Sequence, residues 1–279
     1  MRMRENRVFQ EGVRVYLIDG HGFGVYAWCL MILVLVELFG ILLPSFSSDG
    51  WRGLAYAFRI SFIGALVMIV YFGVRLANRE FGPESFRAST DWLREGGVGP
   101  GTVCVAQVAL LSLNIMILVL VCFPALSWAG AIARVPVTSI LSAPFFLFFY
   151  PLTYGVWGLV TAALSEQSLE RRQIVVRCVL VSWFALSAVF YLPLNPVAFF
   201  LFQSGPNGLF QFGPAGLFPS GPNGLFPSGP NGLFQFGPDG PGVSAWLAAT
   251  MNPLFHFLLL VMGVLTLRQI LKRRALPGS

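Results

Sequence analysis

Lys272 is the single lysine of this chain, and it stands between Leu271 and Arg273. A loop that cradles nucleotide phosphates needs glycines for close backbone approach and a lysine for the charge, in the spacing G-x-x-x-x-G-K-[ST]. No such loop exists here. His21 and His256 lie far apart, and neither belongs to an H-E-x-x-H pair that could hold zinc on one helix face. A nucleophile elbow of the form G-x-S-x-G is absent. Cys29, Cys104, Cys122 and Cys178 sit in or beside apolar runs without C-x-x-C spacing. They read as small buried hydrophobes, not as a disulfide framework or metal site. Catalytic, cofactor-binding and metal-ligating residues are therefore not expected in this chain.

What polar chemistry remains lies inside apolar stretches. Glu37 interrupts M-I-L-V-L-V-E-L-F-G (31–40), and an ionised acid at the centre of a membrane helix costs roughly 2.5–3.5 kcal/mol on insertion scales. It has to be protonated, paired or turned toward a wet cavity. Arg59 stands at a compatible depth if the first two apolar runs pack as a hairpin. Glu37 is then either a pathway residue or half of a structural Glu–Arg clamp, and the sequence leaves both open. Asn114 and Gln107 read as interhelical hydrogen-bond glue, each contributing about 0.6 kcal/mol. His256 reads as a packed, hydrogen-bonded histidine and not a ligand.

The elements that must carry these residues follow from composition. The chain of 279 residues is 56% hydrophobic and 11% charged, with a mean hydropathy of +0.73. Soluble domains carry roughly 25% charged residues, so the expected class is an all-α membrane protein. Six runs each approach the ~20 residues needed to cross a bilayer core: 25–44, 54–76, 103–126, 140–164, 175–194 and 254–271. The first is expected to remain as an anchor, since a mixed-charge leader precedes it and no small-residue cleavage pattern follows it.

Arginine sets the expected orientation. With the N-terminus inside, the inner side receives Arg2, Arg4, Arg7, Arg14, Arg75, Arg79, Arg87, Arg94, Arg171, Arg172, Arg177 and the Arg268–Arg274 cluster. The outer side keeps only Arg52, Arg59 and Arg134. That asymmetry puts both termini in the cytosol of a multi-pass protein of the bacterial cytoplasmic (inner) membrane. No basic stripe with interleaved aromatics appears, so a nucleic-acid partner is not expected.

Two segments outside the spans carry organisation. Within residues 1–24, Phe9, Val13, Tyr16 and Leu17 fall on one helical face and Arg7, Glu11 and Arg14 on the other. This reads as an interfacial helix broken at Asp19-Gly20. Between the second and third runs, Gly82-Pro83 opens a short helix predicted over 83–95, with Arg87 and Asp91 four apart. Gly96-Gly97 ends it, and Gly99-Pro100-Gly101 reads as a barrier to helix before the next run. Phe86, Thr90 and Leu93 make one face of that helix, with Trp92 beside it.

The link before the last run differs in kind. S-G-P-N-G-L-F-Q (204–211) recurs with a period of eight through 235 and decays by 241. Each G-P-N-G is a β-turn signal, and the period excludes collagen. The loop is either a low-complexity expansion or a stack of turns that meets the membrane or a partner. On its flanks, 195–202 and 244–251 are apolar but too short to cross, and are expected to dip into the outer leaflet and return.

These features resemble the permease subunit of type-2 ABC transporters, the exporter class. The likeness rests on the interfacial helix, the six runs, the short helix over 83–95 and the outer segment between the fifth and sixth runs, taken as re-entrant. It also rests on S-T-D-W-L-R-E-G-G-V-G-P-G-T-V-C-V-A-Q (89–107). That phrase is similar to the family's T-x-x-x-L-x-x-x-P-(small/polar)-G-x-x-x-x-G-K, with Ala106-Gln107 where Gly-Lys is usual. Ser165–Arg177 is similar to the family's polar loop after the fourth span, and Asn252-Pro253 to the N-P before its last. The resemblance implies ATP-binding partner subunits of the ABC type, a second permease copy or paralogue, and no nucleotide on this chain. It also implies that 83–95 is a coupling helix pressed by the ATPases, with Phe86, Asp91, Trp92, Leu93 and Arg94 as its working residues. The alternative is a non-transporting accessory subunit of a larger membrane assembly, using the repeat for contacts.

Overall fold

The computed structural model describes residues 6–45, 57–81, 89–94, 97–164, 174–175, 177–178, 181–182, 195–197 and 242–275. All regular structure among them is helical. α1 (Arg7–Val13) continues into a π-helical turn (Arg14–Ile18), and α2 (Phe23–Ser45), α3 (Ala57–Ala77) and the short α4 (Ser89–Arg94) follow. The long helices α5 (Pro100–Ile132), α6 (Val137–Leu164) and α7 (Gly242–Arg274) complete the order.

Among the described residues four helices are long and apolar enough to cross a membrane, and a fifth span is reached when α1 with its π turn and α2 are taken together. The chain is a multi-pass helical membrane protein. The expected run at 175–194 falls almost wholly outside the described residues, as do Phe86, Arg87 and the repeat.

α1 begins at Asn6, whose Oδ1 accepts from the N–H of Val8 and whose Nδ2 donates to the carbonyl of Thr102 at the start of α5. The side chain thus caps one helix and ties it to another. The buried face is Val8, Gly12, Val15 and Tyr16, one step round from the expected Phe9, Val13, Tyr16 and Leu17. Gly12 explains the shift, because a Cβ there would overlap the side chain of Leu110 on α5. The small residue turns inward to let the helices approach. Gly20, at φ 80°, then makes the turn into α2, and the two segments meet at 56°.

α3 is the centre of the bundle and packs on α2, α5 and α6. It crosses α6 closely at Gly158, where a Cβ would lie 3.2 Å from Ala77 Cβ and 3.3 Å from the backbone oxygen of Val74. Two helices end on arginine in the left-handed region, Arg79 (φ 61°) after α3 and Arg134 (φ 52°) after α5. In both, the following residue's N–H reaches back five positions: Glu80 to Arg75 and Val135 to Gly130. This pattern usually takes glycine, and an L-residue there costs roughly 1–2 kcal/mol.

Two boundaries correct the sequence reading. Pro100 does not block helix but opens α5 at its first position, with Gly99 as N-cap. The stretch 244–251, expected to dip and return, is continuous with the last span, since α7 runs unbroken over 33 residues from Gly242. At 1.5 Å per residue that is about 50 Å, longer than the bilayer core. Asn252-Pro253 therefore sits inside a helix, not before one.

α2 meets α5 through Cys29 and Cys122, both buried, with their sulfurs 3.7 Å apart. A membrane-permeant oxidant is expected to join them, since the sulfurs need close only to the ~2.05 Å of a disulfide. The product is checked as an intramolecular cross-link, lost in Cys29→Ser. Failure to form it would contradict the α2–α5 packing.

Candidate functional site

One end of the bundle gathers the N-terminus of α2, the C-termini of α3, α6 and α7, and the start of α5. Arg274 Nη2 donates to the carbonyl of Leu164, joining the ends of α7 and α6 at 3.0 Å. Tyr16 OH donates to Leu76 O at the end of α3. Of the described basic residues, only Arg59 and Arg134 lie at the opposite end, Arg59 in the first turn of α3 and Arg134 just past α5. The sorting expected between two sides is thus seen, among the described residues, between the two ends of the packed helices.

At this basic end α4 docks against α5 and α7. Trp92 and Leu93 are each 8% exposed, so the aromatic side of α4 faces the bundle. Asp91 is half-buried, and Arg94 is exposed. Trp92 closes a cavity of about 30 Å³ with Tyr16, Leu76, Arg79, Gln107 and Asn114, room for about one water and nothing larger.

Asn114 is where the sequence placed it. Its Oδ1 accepts from Tyr26 OH at 2.5 Å, linking α2 to α5, while its Nδ2 donates to Leu110 O. Beside the site, Glu80 receives Arg75 and Arg177 on one oxygen, Oε2, and Asn78 on the other.

Glu37 and Arg59 are both buried, yet among the described residues no ion pair joins them. The clamp reading is corrected: the α3 side chain beside the Glu37 carboxyl is Ser61, and Arg59, two residues earlier, stands about 200° round the helix from it. Glu37 Oε1 and Ser61 Oγ each lack a hydrogen-bond partner. Cys29, Leu33 and Glu37 are spaced by four on one buried face of α2, which turns the carboxyl into the bundle and away from lipid. Glu37→Gln keeps the shape and removes the proton exchange. On the transport function proposed below, it is expected to slow turnover while leaving the melting temperature within a few degrees; unchanged transport and unchanged stability together would deny the residue any role.

A second polar network was not anticipated. On α6, Tyr150 OH donates to Asn252 Oδ1 at 2.8 Å, and Tyr154 OH lies 3.1 Å from His256 Nε2. His256 Nδ1 is 2.9 Å from the carbonyl of Asn252, an acceptor only, so Nδ1 carries the proton and Nε2 accepts from Tyr154. Trp157 Nε1 adds a bond to Leu259 O. The network welds α6 to α7 and leaves its histidine ring without a free nitrogen. The signal was present: Tyr150/Tyr154 and Asn252/His256 are two i, i+4 pairs, which place each on one stripe.

Among the described residues no three His, Cys, Asp or Glu side chains converge on a point. At the basic end, α4 touches α5 and α7. No protein-family model, curated protein or solved structure matches this chain. By helix length, hydropathy and packing, it is a multi-span, all-helical membrane protein.

Proposed function

We propose that this chain is the permease subunit of an ATP-driven transporter of the type-2 ABC kind. In this reading it has six spans and both termini in the cytosol of a bacterial cytoplasmic membrane. ATP is hydrolysed on separate subunits, and a second permease copy or paralogue completes the passage. The cargo class that suits the Phe- and Leu-rich spans is an amphipathic, lipid-like or other small substrate.

The observation that carries the proposal is the docking of α4. Trp92 and Leu93 are sunk among α1, α3, α5 and α7, while Arg94 is left exposed on the same short helix. A partner that binds the exposed side moves a lever whose other side is fixed to the spans. α1, tied to α5 through Asn6 and bent at 56° to α2, offers a second lever at the same level. Packed helices shift as units and do not deform continuously, so a push at α4 is passed on as a tilt. The test is purification from membranes in mild detergent followed by identification of the accompanying proteins. An ATP-binding-cassette protein in fixed ratio supports the proposal; its consistent absence opposes it.

A further inference from the structure

A groove of about 460 Å³ runs between the first half of α2 and the last turns of α3, within the ~300–1,000 Å³ typical of small-molecule sites. Trp28 and Ile32 form one wall, Tyr71 and Phe72 the other, and His21, Arg75 and Phe81 lie at its basic end. Trp28 is 58% and Tyr71 39% exposed, so the groove opens sideways, where lipid meets the helices. Amphipathic aromatics of this kind collect at the headgroup level of a bilayer.

The charged end is built and not incidental. The Arg75 guanidinium stands 4.4 Å from the Phe81 ring and 5.2 Å from the Tyr71 ring. Its Nε donates to Glu80 Oε2 and its Nη1 to Tyr71 OH. Those bonds fix the plane of the guanidinium and leave Nη2 without a protein partner among the described residues. Arg177 shares the same Glu80 oxygen at 3.4 Å. Two arginines thus meet one carboxylate, and among the described residues this cluster carries one positive charge in excess beside an apolar channel. An arginine fork with spare N–H groups suits a phosphate oxygen, and basic pockets between membrane helices on the inner side take anionic headgroups.

We propose that this groove is a binding site for an anionic glycerophospholipid of the inner leaflet. The phosphate lies against Arg75, and an acyl chain runs along Trp28, Ile32 and Phe72. The site is built mainly from α2, α3 and the turn after α3 and stands whether or not the chain works with an ATPase.

The experiment uses the full-length protein in nanodiscs that contain brominated phosphatidylglycerol or brominated phosphatidylcholine as a minor component. Bromine quenches tryptophan on contact, and the Trp28 contribution is isolated as the difference between the wild-type chain and Trp28→Phe. Phosphatidylglycerol is expected to quench that component at about fivefold lower mole fraction than phosphatidylcholine, the preference one basic residue gives at a membrane surface. Arg75→Gln should erase the preference, while Arg75→Lys keeps part of it.

Gly24→Leu supplies an arm that leaves the ion pair intact. Gly24 lines the groove, and a Cβ there meets nothing within 4 Å, so leucine fills the space and should lower quenching by both lipids. Equal quenching by the two lipids in the wild-type chain would overturn the proposal whatever the variants do. So would displacement of the lipid by inorganic phosphate alone, which would mark the site as one for a free anion.

Discussion

On the transporter function proposed above, replacing Trp92 and Leu93 together with alanine is expected to reduce substrate-stimulated ATP turnover of the assembled complex by at least about tenfold. Both side chains are buried, and α4 has only six residues. A helix that short does not persist in water by propensity alone, so its order comes from docking. Truncating a buried tryptophan costs on the order of 3–5 kcal/mol and a buried leucine about 2–5, far more than the ~1.4 kcal/mol that a tenfold change requires. The loss falls locally on α4, because the spans hold one another through contacts that do not involve it. The measurement is ATP hydrolysis with and without substrate, beside a sizing profile showing that the subunits remain together. Normal stimulated turnover would mean that force does not pass through α4.

Gly158→Leu is expected to be the most damaging single change within the spans. Its Cβ would press on the backbone of Val74 as well as on Ala77, and backbone cannot step aside as a side-chain tip can. Overpacking of this kind costs roughly 1–3 kcal/mol or more, here where α6 crosses the central helix. A melting temperature several degrees lower and a much reduced yield of monodisperse protein are the expected results. Gly158→Ala should fall between, since its Cβ asks the neighbours to give by only a few tenths of an ångström. Gly97→Leu is the control, because a Cβ at Gly97 meets open space. Equal melting of all three variants would place the α3–α6 crossing elsewhere.

How much of this was legible depended on which force set each feature. The apolar runs at 25–44, 54–76, 103–126 and 140–164 became helices because hydrocarbon demands internally paired backbone, and hydropathy reads that demand directly. The ends were less legible. Pro124 sits within α5, Pro144 and Pro151 within α6, and Pro253 within α7. In water each would stop a helix, but neighbouring helices tolerate the freed carbonyls. The face of α1 was misread by one residue, since Gly12 contributes no hydrophobicity yet decides the closest approach. Glu37 was read as an acid inside a span that had to be protonated, paired or wet, and it is buried; its expected partner Arg59 was not its neighbour, because depth along a span does not tell which helix face points where. The α6–α7 weld was hidden among aromatics, and Phe145, 62% exposed, looks like buried Tyr150 in a sequence window. Left-handed Arg79 and Arg134 carried no signal, since the motif they close is ordinarily written with glycine.

The central claim, that this chain supplies the moving helices while another subunit supplies the energy, comes down to what accompanies it out of the membrane. The most direct measurement is the native mass of the complex extracted in mild detergent, taken together with its ATP hydrolysis rate. The account predicts two ATP-binding subunits for each pair of membrane-spanning chains, and a turnover that vanadate abolishes. A chain that emerges alone, or with companions that hydrolyse no nucleotide, would contradict it.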